Sequence, residues 1–259
     1  MTVADADHIN CAHELQRNGF AVLPQFLDPS QLEQLRLEAD TLYELAEAQA
    51  QAGSPSAAAG WGREHIARCV HEVIPGHQLT PELRTCYSAH RSHRSSWPLR
   101  GEVWHILFCS QLTRLVLALL GPEAVLFNDQ HILKPPCTNL SSFPWHRDSD
   151  WCRSGLSTYQ PYISVWCALD DTTVANGCLV VQPFALQKEQ SQDVVALEVA
   201  AGTAVIMSDT VLHRSGPNRS RHMRRAWMPQ FAARKLSWHA DGTCVSLAIP
   251  LNAAAAEKG

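Results

Sequence analysis

Two side chains two positions apart carry the donor types that hold a divalent metal: His146 and Asp148, in Phe143-Pro144-Trp145-His146-Arg147-Asp148. If this run is extended, successive side chains alternate faces and these two point the same way. An imidazole beside a carboxylate supplies two thirds of a facial metal site. The third ligand should be a histidine arriving on a neighbouring strand well downstream, and His213, in Asp209-Thr210-Val211-Leu212-His213-Arg214-Ser215-Gly216, is the candidate. Two histidines and one carboxylate on one face of a metal leave positions open on the other, the arrangement that non-haem Fe(II) oxygenases use. The triplet alone is a weak signal. His-x-Asp arises often by chance, and a histidine on a strand is more often a hydrogen-bonded core residue than a ligand. Zinc or another metal working in hydrolysis would accept the same three donors.

The residues downstream of His213 separate these possibilities. The turn Gly216-Pro217-Asn218 lets the chain double back beside the metal, and Arg224 then opens the last long strand. A guanidinium there could hold a carboxylate through two parallel N–H···O bonds, and Ser215 could add its hydroxyl. Arg225 faces the other side of that strand. A hydrolytic metal site has no need of Arg224.

These groups need a β framework, and the second half of the chain reads as one. Val125–Lys134 alternates, with Asn128, Gln130, Ile132 and Lys134 on one face. Phe143–Asp148, Tyr162–Leu169, Cys178–Gln182, Val194–Leu197, Thr203–Met207 and Arg225–Ala232 come next, parted by Gly, Pro and Asn turns. The separation between positions 146 and 213 suits a double-stranded β-helix, whose first and seventh strands lie side by side.

The first half reads as mostly helical. Cys11–Asn18 is a short helix closed at Gly19, and Phe20–Leu23 is a strand. Asp28-Pro29-Ser30-Gln31 opens a helix with a capping box and a proline at its first position. Leu32, Leu35, Ala39, Leu42 and Ala46 mark its apolar face. Arg63–Val73 reads as a further helix closed by Pro75-Gly76. Ser110–Leu120 is another, capped by Ser110, with Leu112, Leu115, Val116 and Leu119 inward and Gly121-Pro122 at its end. The expected fold is therefore α+β with a mainly β core: a double-stranded β-helix of jelly-roll or cupin type flanked by N-terminal helices. It forms one domain over 1–259, helical to about 122, with the core from about 123 to 235.

The totals exclude several classes of function. With 259 residues, 46% hydrophobic and 18% charged, the chain can bury a sizeable core. A net charge of −4 does not suit a nucleic-acid or anionic-membrane binder. No apolar run reaches membrane-spanning length. The polar, acidic start is unlike a signal or transit peptide, and the end carries no Ser-Lys-Leu address, so a cytoplasmic location is expected. Nine cysteines without a C-x-x-C pair do not make a disulfide framework or a zinc ribbon.

Taken in order, the motifs resemble the phytanoyl-CoA dioxygenase family of Fe(II)- and 2-oxoglutarate-dependent oxygenases. The resemblance runs over nearly the whole chain. It takes in Asn18-Gly19-Phe20-Ala21-Val22-Leu23, Leu133-Lys134-Pro135-Pro136, Trp145-His146-Arg147-Asp148 and Trp166. It continues through Asn176-Gly177-Cys178-Leu179-Val180-Val181-Gln182-Pro183, His213-Arg214-Ser215-Gly216-Pro217-Asn218 and Arg224-Arg225-Ala226. The resemblance implies that His146, Asp148 and His213 are the catalytic iron ligands. It implies that Arg224 and Ser215 hold the distal carboxylate of 2-oxoglutarate, and that Gln130 and Trp166 line its pocket. It further implies O₂ as the oxidant and the release of succinate and CO₂.

Two stretches depart from the family pattern. Phe184-Ala185-Leu186 stands where Gly-Ser-His is usual, and Gly202-Thr203 where Gly-Asp is frequent. Neither is an iron ligand; the first could reshape the rim of the site. Asp148 is present where related halogenases lack the carboxylate, which favours hydroxylation.

The substrate should be a small metabolite or an acyl group, and the chain a monomer or homodimer. Trp151 is the first candidate for a substrate contact. Arg147 and Trp227 come after it, with Trp145, Arg153 and Tyr159 behind them; for each, a packed or surface role is at least as good an account. The segment holding Arg84, His90, Arg91, His93, Arg94 and Arg100 reads as a solvated loop, or else as phosphate contacts for a CoA thioester. A catalytically silent binding or scaffold protein on the same fold is the other alternative. Such proteins usually lose a ligand or the arginine, and this chain keeps all four.

Overall fold

Buried strands with alternating faces must be covered on both sides, and here two sheets and a helical layer do so. The computed structural model describes residues 3–51, 69–71, 102–137, 141–151, 161–188, 193–237 and 249–251. In chain order these form α1 (Val3–Asn18), β1 (Phe20–Leu23), α2 (Pro29–Gln51), β2 (Cys69–His71), α3 (Glu102–Leu107) and α4 (Ser110–Leu120). Then come β3 (Val125–Lys134), β4 (Phe143–His146), a 3₁₀ turn (Asp148–Trp151), β5 (Tyr162–Ala168), β6 (Leu179–Gln182) and α5 (Phe184–Lys188). The chain continues with β7 (Val195–Leu197), β8 (Ala204–Ser208), β9 (Leu212–Ser215), β10 (Arg224–Ala232) and β11 (Ile249–Pro250).

The larger sheet has the order β1-β8-β5-β10-β3-β11, with β2 also on β3, and the smaller has β4-β9-β6-β7. Every described pairing is antiparallel. This is the mainly β jelly roll that the strand spacing implied.

The large sheet has two unlike faces. Leu126, Leu133, Ile163, Val165, Cys167, Trp227 and Phe231 pack with Leu35 and Ala39 of α2 and Leu112, Leu115 and Val116 of α4. Each fully buried Leu, Ile, Val or Phe among them contributes about 2 kcal/mol. Polar ties cross the same layer: the Glu38 carboxylate lies 2.9 Å from His131 Nε2, and the Trp227 indole donates to Asp129 at 2.7 Å. The opposite face carries Trp166, Ala168, Ala226 and Met228, packed with Leu179, Val181 and Leu197 of the small sheet. The space between the two sheets is where the chemistry-bearing side chains point.

Local signals explain most of the elements. Asp28 and Gln31 satisfy each other's backbone N–H at the start of α2, at 2.9 and 3.1 Å, the reciprocal capping box. Four features differ from the sequence reading. Within Arg63–Val73, residues Cys69–His71 form a strand on β3 rather than a helix; an open sheet edge outweighs a weak helical period. Helix α4 is capped by the Cys109 thiol, which accepts from the Leu112 N–H at 3.5 Å, while Ser110 is already helical. The strand expected over Phe143–Asp148 ends at His146. Helix α1 begins at Val3, ahead of the expected start at Cys11.

Two glycines tie distant parts together. Gly19 has φ +80°, and a Cβ there would meet the Phe184 ring at 2.8 Å and Val211 at 2.9 Å. Gly177 has φ +81°, and a Cβ there would collide with the Gly216 carbonyl. The Asn176-Gly177 turn therefore sits directly against the turn after His213.

Candidate functional site

Strands β4 and β9 pair so that His146 stands opposite His213. Their ring centroids are 4.2 Å apart at 54°. Asp148 arrives by a different route from the one its spacing implied, since it starts the 3₁₀ turn instead of continuing the strand. That turn is fixed by the Arg147 N–H donating to Asp150 Oδ2 at 2.8 Å and by the Ser149 N–H donating to the Asp209 carbonyl at 2.9 Å. It brings Asp148 Oδ1 to 3.5 Å from His213 Nε2 and 3.8 Å from His146 Nε2. The three ligand atoms all lie within 4.8 Å of one another.

Hydrogen bonds set which ring nitrogen faces this space. His146 Nδ1 is 2.8 Å from the Pro144 carbonyl, and His213 Nδ1 is 3.0 Å from the Val211 carbonyl. A carbonyl only accepts, so each Nδ1 carries the proton and each Nε2 presents a lone pair. Burial pushes the His213 imidazole below its usual range, against the opposing pull of Asp148; the neutral ring is the form that binds a metal.

Two residues that sequence reasoning passed over complete this part. Asp148 Oδ2 accepts a hydrogen bond from the Ser164 hydroxyl and another from Gln230 Nε2 at 3.3 Å. Their signal was a polar residue at an inward position of an apolar run: Ser164 in Tyr162–Ala168 and Gln230 in the run that follows Arg225 in Arg224–Ala232.

A second cluster lies a strand-step away. Arg224 is buried, 1% exposed, and its Nε and Nη1 have no hydrogen-bond partner. Its guanidinium carbon is 5.7 Å from the Trp166 ring centre. Burial pushes its pKa down to about 10, with Asp170 opposing, so it stays charged at neutral pH. Lys134 is its cross-strand partner. The Lys134 ammonium donates to Ser215 Oγ at 2.7 Å and to the Gly216 carbonyl. Arg224, Lys134, Ser215 and Trp166 thus converge beside the His213 strand. Arg225 points the other way, as alternation requires, and is clamped by Asp170 at 2.7 and 2.9 Å and by Asp40 at 2.7 Å.

The remaining candidates divide. Gln130 is buried on the inward face of β3, in line with Met228 of β10. Trp227 does not face the site; its side chain is fully buried in the helix-side core, because it alternates with the inward Ala226 and Met228. Arg147 is half-buried beside the ligands in sequence. Trp151 closes the 3₁₀ turn. Trp145 is 42% exposed on the outer face, with the Arg214 guanidinium 5.2 Å above its ring. Arg153, Tyr159 and the Arg84–Arg100 cluster lie outside the described residues. A surface cleft of about 540 Å³ lined by Asp40, Asp170, His222 and Arg225 contains none of the metal-site groups.

The family model for phytanoyl-CoA dioxygenase (PhyH) matches residues 15–226. The chain belongs to this family. Its reaction class is that of iron- and 2-oxoglutarate-dependent non-haem oxygenases, with Fe(II), 2-oxoglutarate and O₂ as metal, co-substrate and oxidant. Solved structures share the fold at low identity. The alpha-ketoglutarate-dependent carbocyclase SnoK from nogalamycin biosynthesis superimposes with a TM-score of 0.62 at 17% identity, covering 93% of this chain and 91% of that one. The epimerase SnoN, in complex with Fe3+, alpha ketoglutarate and nogalamycin RO, gives 0.61 at 17%, covering 90% and 86%. EvdO2 from Micromonospora carbonacea var. aurantiaca, complexed with 2-oxoglutarate, gives 0.54 at 21%, covering 90% and 93%. No curated protein matches the sequence.

The residues present fit the groups this family uses. Two neutral imidazole nitrogens and one carboxylate oxygen suit Fe(II) with positions left open. A buried guanidinium with two unpartnered nitrogens suits a carboxylate. Among the described residues no helix is long and apolar enough to cross a membrane.

Proposed function

We propose that this chain hydroxylates a small metabolite or acyl substrate, with release of succinate and CO₂. His146, Asp148 and His213 hold the iron, and Arg224 with Ser215 holds the distal carboxylate of 2-oxoglutarate. The observation that carries the reading is Arg224: a buried cation with two unpartnered nitrogens, set one turn beyond a metal ligand. When bound, iron would couple the oxidative decarboxylation of 2-oxoglutarate to attack on a substrate C–H bond.

The chain's own residues provide orientation and a dry setting. His146 and His213 present Nε2 because backbone carbonyls hold Nδ1. Lys134 has donors but no acceptor, so Ser215 Oγ must accept from it; the Ser215 proton is then available for a carboxylate. Trp166 and Gln130 wall the co-substrate pocket and limit water. Trp151 and Arg147 stand on the stretch of chain that carries His146 and Asp148, and are the candidates for a substrate contact. Related halogenases lack the carboxylate that Asp148 supplies, so its presence favours hydroxylation. A cytoplasmic location and a monomer or homodimer belong to the same reading. So does the lack of a nucleic-acid partner, on the net charge of −4.

Succinate formed from 2-oxoglutarate under Fe(II) and air tests it, measured with and without a panel of free acids, small metabolites and CoA thioesters. Succinate release should be slow alone and accelerated by members of one substrate class. A hydrolase or a silent scaffold would release none, and acceleration confined to thioesters would favour the CoA-linked form.

A further inference from the structure

Asp148 is the one ligand whose position no strand dictates, so something else must aim its carboxylate. Its two oxygens have different surroundings. Oδ1 faces both histidine Nε2 atoms, at 3.5 and 3.8 Å. Oδ2 turns away, toward the Ser164 hydroxyl and Gln230 Nε2. These donors are themselves held in place. Gln230 Nε2 also donates to Ser164 Oγ at 2.8 Å, and Asn128 Nδ2 donates to Gln230 Oε1 at 2.6 Å.

The three residues stand in one row across the middle of the large sheet. Asn128 of β3 is in register with Gln230 of β10, which is in register with Ser164 of β5. Every bond in the row runs the same way, each donor pointing toward Asp148. Ser164 and Gln230 are buried, at 0% and 5% exposure. A side-chain row anchored on three paired strands cannot swing with the 3₁₀ turn.

We propose that Ser164 and Gln230, oriented by Asn128, are positioning residues that hold Asp148 as a one-oxygen ligand. With Oδ2 held off, the carboxylate would offer a metal only Oδ1 and would leave the open side of the site free for a 2-oxo acid. This inference rests on the metal-site reading above.

Anaerobic Co(II) titration of the full chain tests it without relying on turnover. Ser164→Ala should raise the Co(II) dissociation constant by about 10–100-fold, the range for removal of a group that orients a ligand. It should also change the visible Co(II) spectrum, as the freed carboxylate alters its coordination. Ser164→Thr keeps the hydroxyl and should restore both. Gln230→Met keeps the side-chain length without the donors and should weaken Co(II) by a smaller factor, because its bond to Oδ2 is the longer one; it serves as the test if Ser164→Ala does not fold. The proposal is overturned if folded Ser164→Ala, or in its place Gln230→Met, binds Co(II) with the wild-type affinity and spectrum. It is equally overturned if Ser164→Thr is as impaired as Ser164→Ala, since that makes the site a matter of packing. Wild-type protein that binds no Co(II) would instead remove the metal site itself, a result distinct from loss of the positioning role.

Discussion

Arg224 and Arg225 are chain neighbours in opposite environments. The guanidinium of Arg225 is fully engaged by Asp170 and Asp40, which raise its pKa further. Arg224 is buried and keeps two nitrogens without partners. A buried polar group left unpaired costs about 1–3 kcal/mol, more when charged, so a ligand that fills it is strongly favoured. Arg224→Ala should raise the dissociation constant for 2-oxoglutarate by at least about tenfold, since charge-assisted bonds are worth roughly 1.5–3 kcal/mol each and 1.4 kcal/mol is one decade. Arg224→Lys should fall between, having a point charge but no fork. Arg225→Ala should lower the melting temperature and leave 2-oxoglutarate affinity within about twofold. Calorimetric titration of the metal-loaded, oxygen-free protein reads all three. The reverse pattern, with Arg225 governing affinity, would contradict the observed faces of β10.

Short elements meet only at their ends, and the site depends on those meetings. Strand β9 is four residues long and carries both His213 and Ser215. Its continuation, Gly216, is pressed against Gly177 of the turn before β6. Only a residue without a Cβ, at φ +81°, fits there. Where alanine can adopt the glycine's conformation the replacement stabilises by about 0.4–1 kcal/mol, but at this φ Gly177→Ala should destabilise by more than that and shift the turn between Ser215 and Arg224. The expected result is a lower melting temperature together with weaker 2-oxoglutarate binding. A variant that loses stability yet binds 2-oxoglutarate normally would show the turn to be mechanically separate from the site. The Gly19–Phe184 contact gives the departure from the family's Gly-Ser-His a physical role: the Phe184 ring fills the space over a glycine at the start of β1.

Across the whole molecule the two faces of the large sheet divide the labour. The helix side supplies the larger apolar cluster and the Glu38–His131 tie. The inward side carries the polar row Asn128–Gln230–Ser164 and the Lys134–Ser215 pair. A metal joining β4, the 3₁₀ turn and β9 binds only the folded chain, so it must stabilise the fold as a whole. At about 100 times its dissociation constant, Fe(II) under argon should add about 2.7 kcal/mol. At roughly 2–4 °C per kcal/mol for a chain of this size class, the melting temperature should rise by about 5–10 °C. A chelator should reverse the rise, and Asp148→Ala should show none. An equal rise in Asp148→Ala would place the metal elsewhere.

The donor types, their order and the period of the strands that carry them are all written in the order of the residues. Alternation alone put Arg224 and Arg225 on opposite faces, and Asn128, Gln130 and Lys134 on one. The capping box at Asp28 was legible because it is local. Contacts between segments far apart in the chain were not legible in this way. A three-residue run at Cys69–His71 became a strand because β3 offered it an edge. Trp227 left the set of substrate contacts once the inward face of β10 was known. Asp148 reached the histidines through a turn and not along a strand, and the residues that aim it, Ser164 and Gln230, look from sequence like stray polar residues in buried strands. Their role exists only where β3, β10 and β5 stand side by side, because a hydrogen bond depends on distances of about 3 Å, and those are set by the pairing of strands, not by the residues alone.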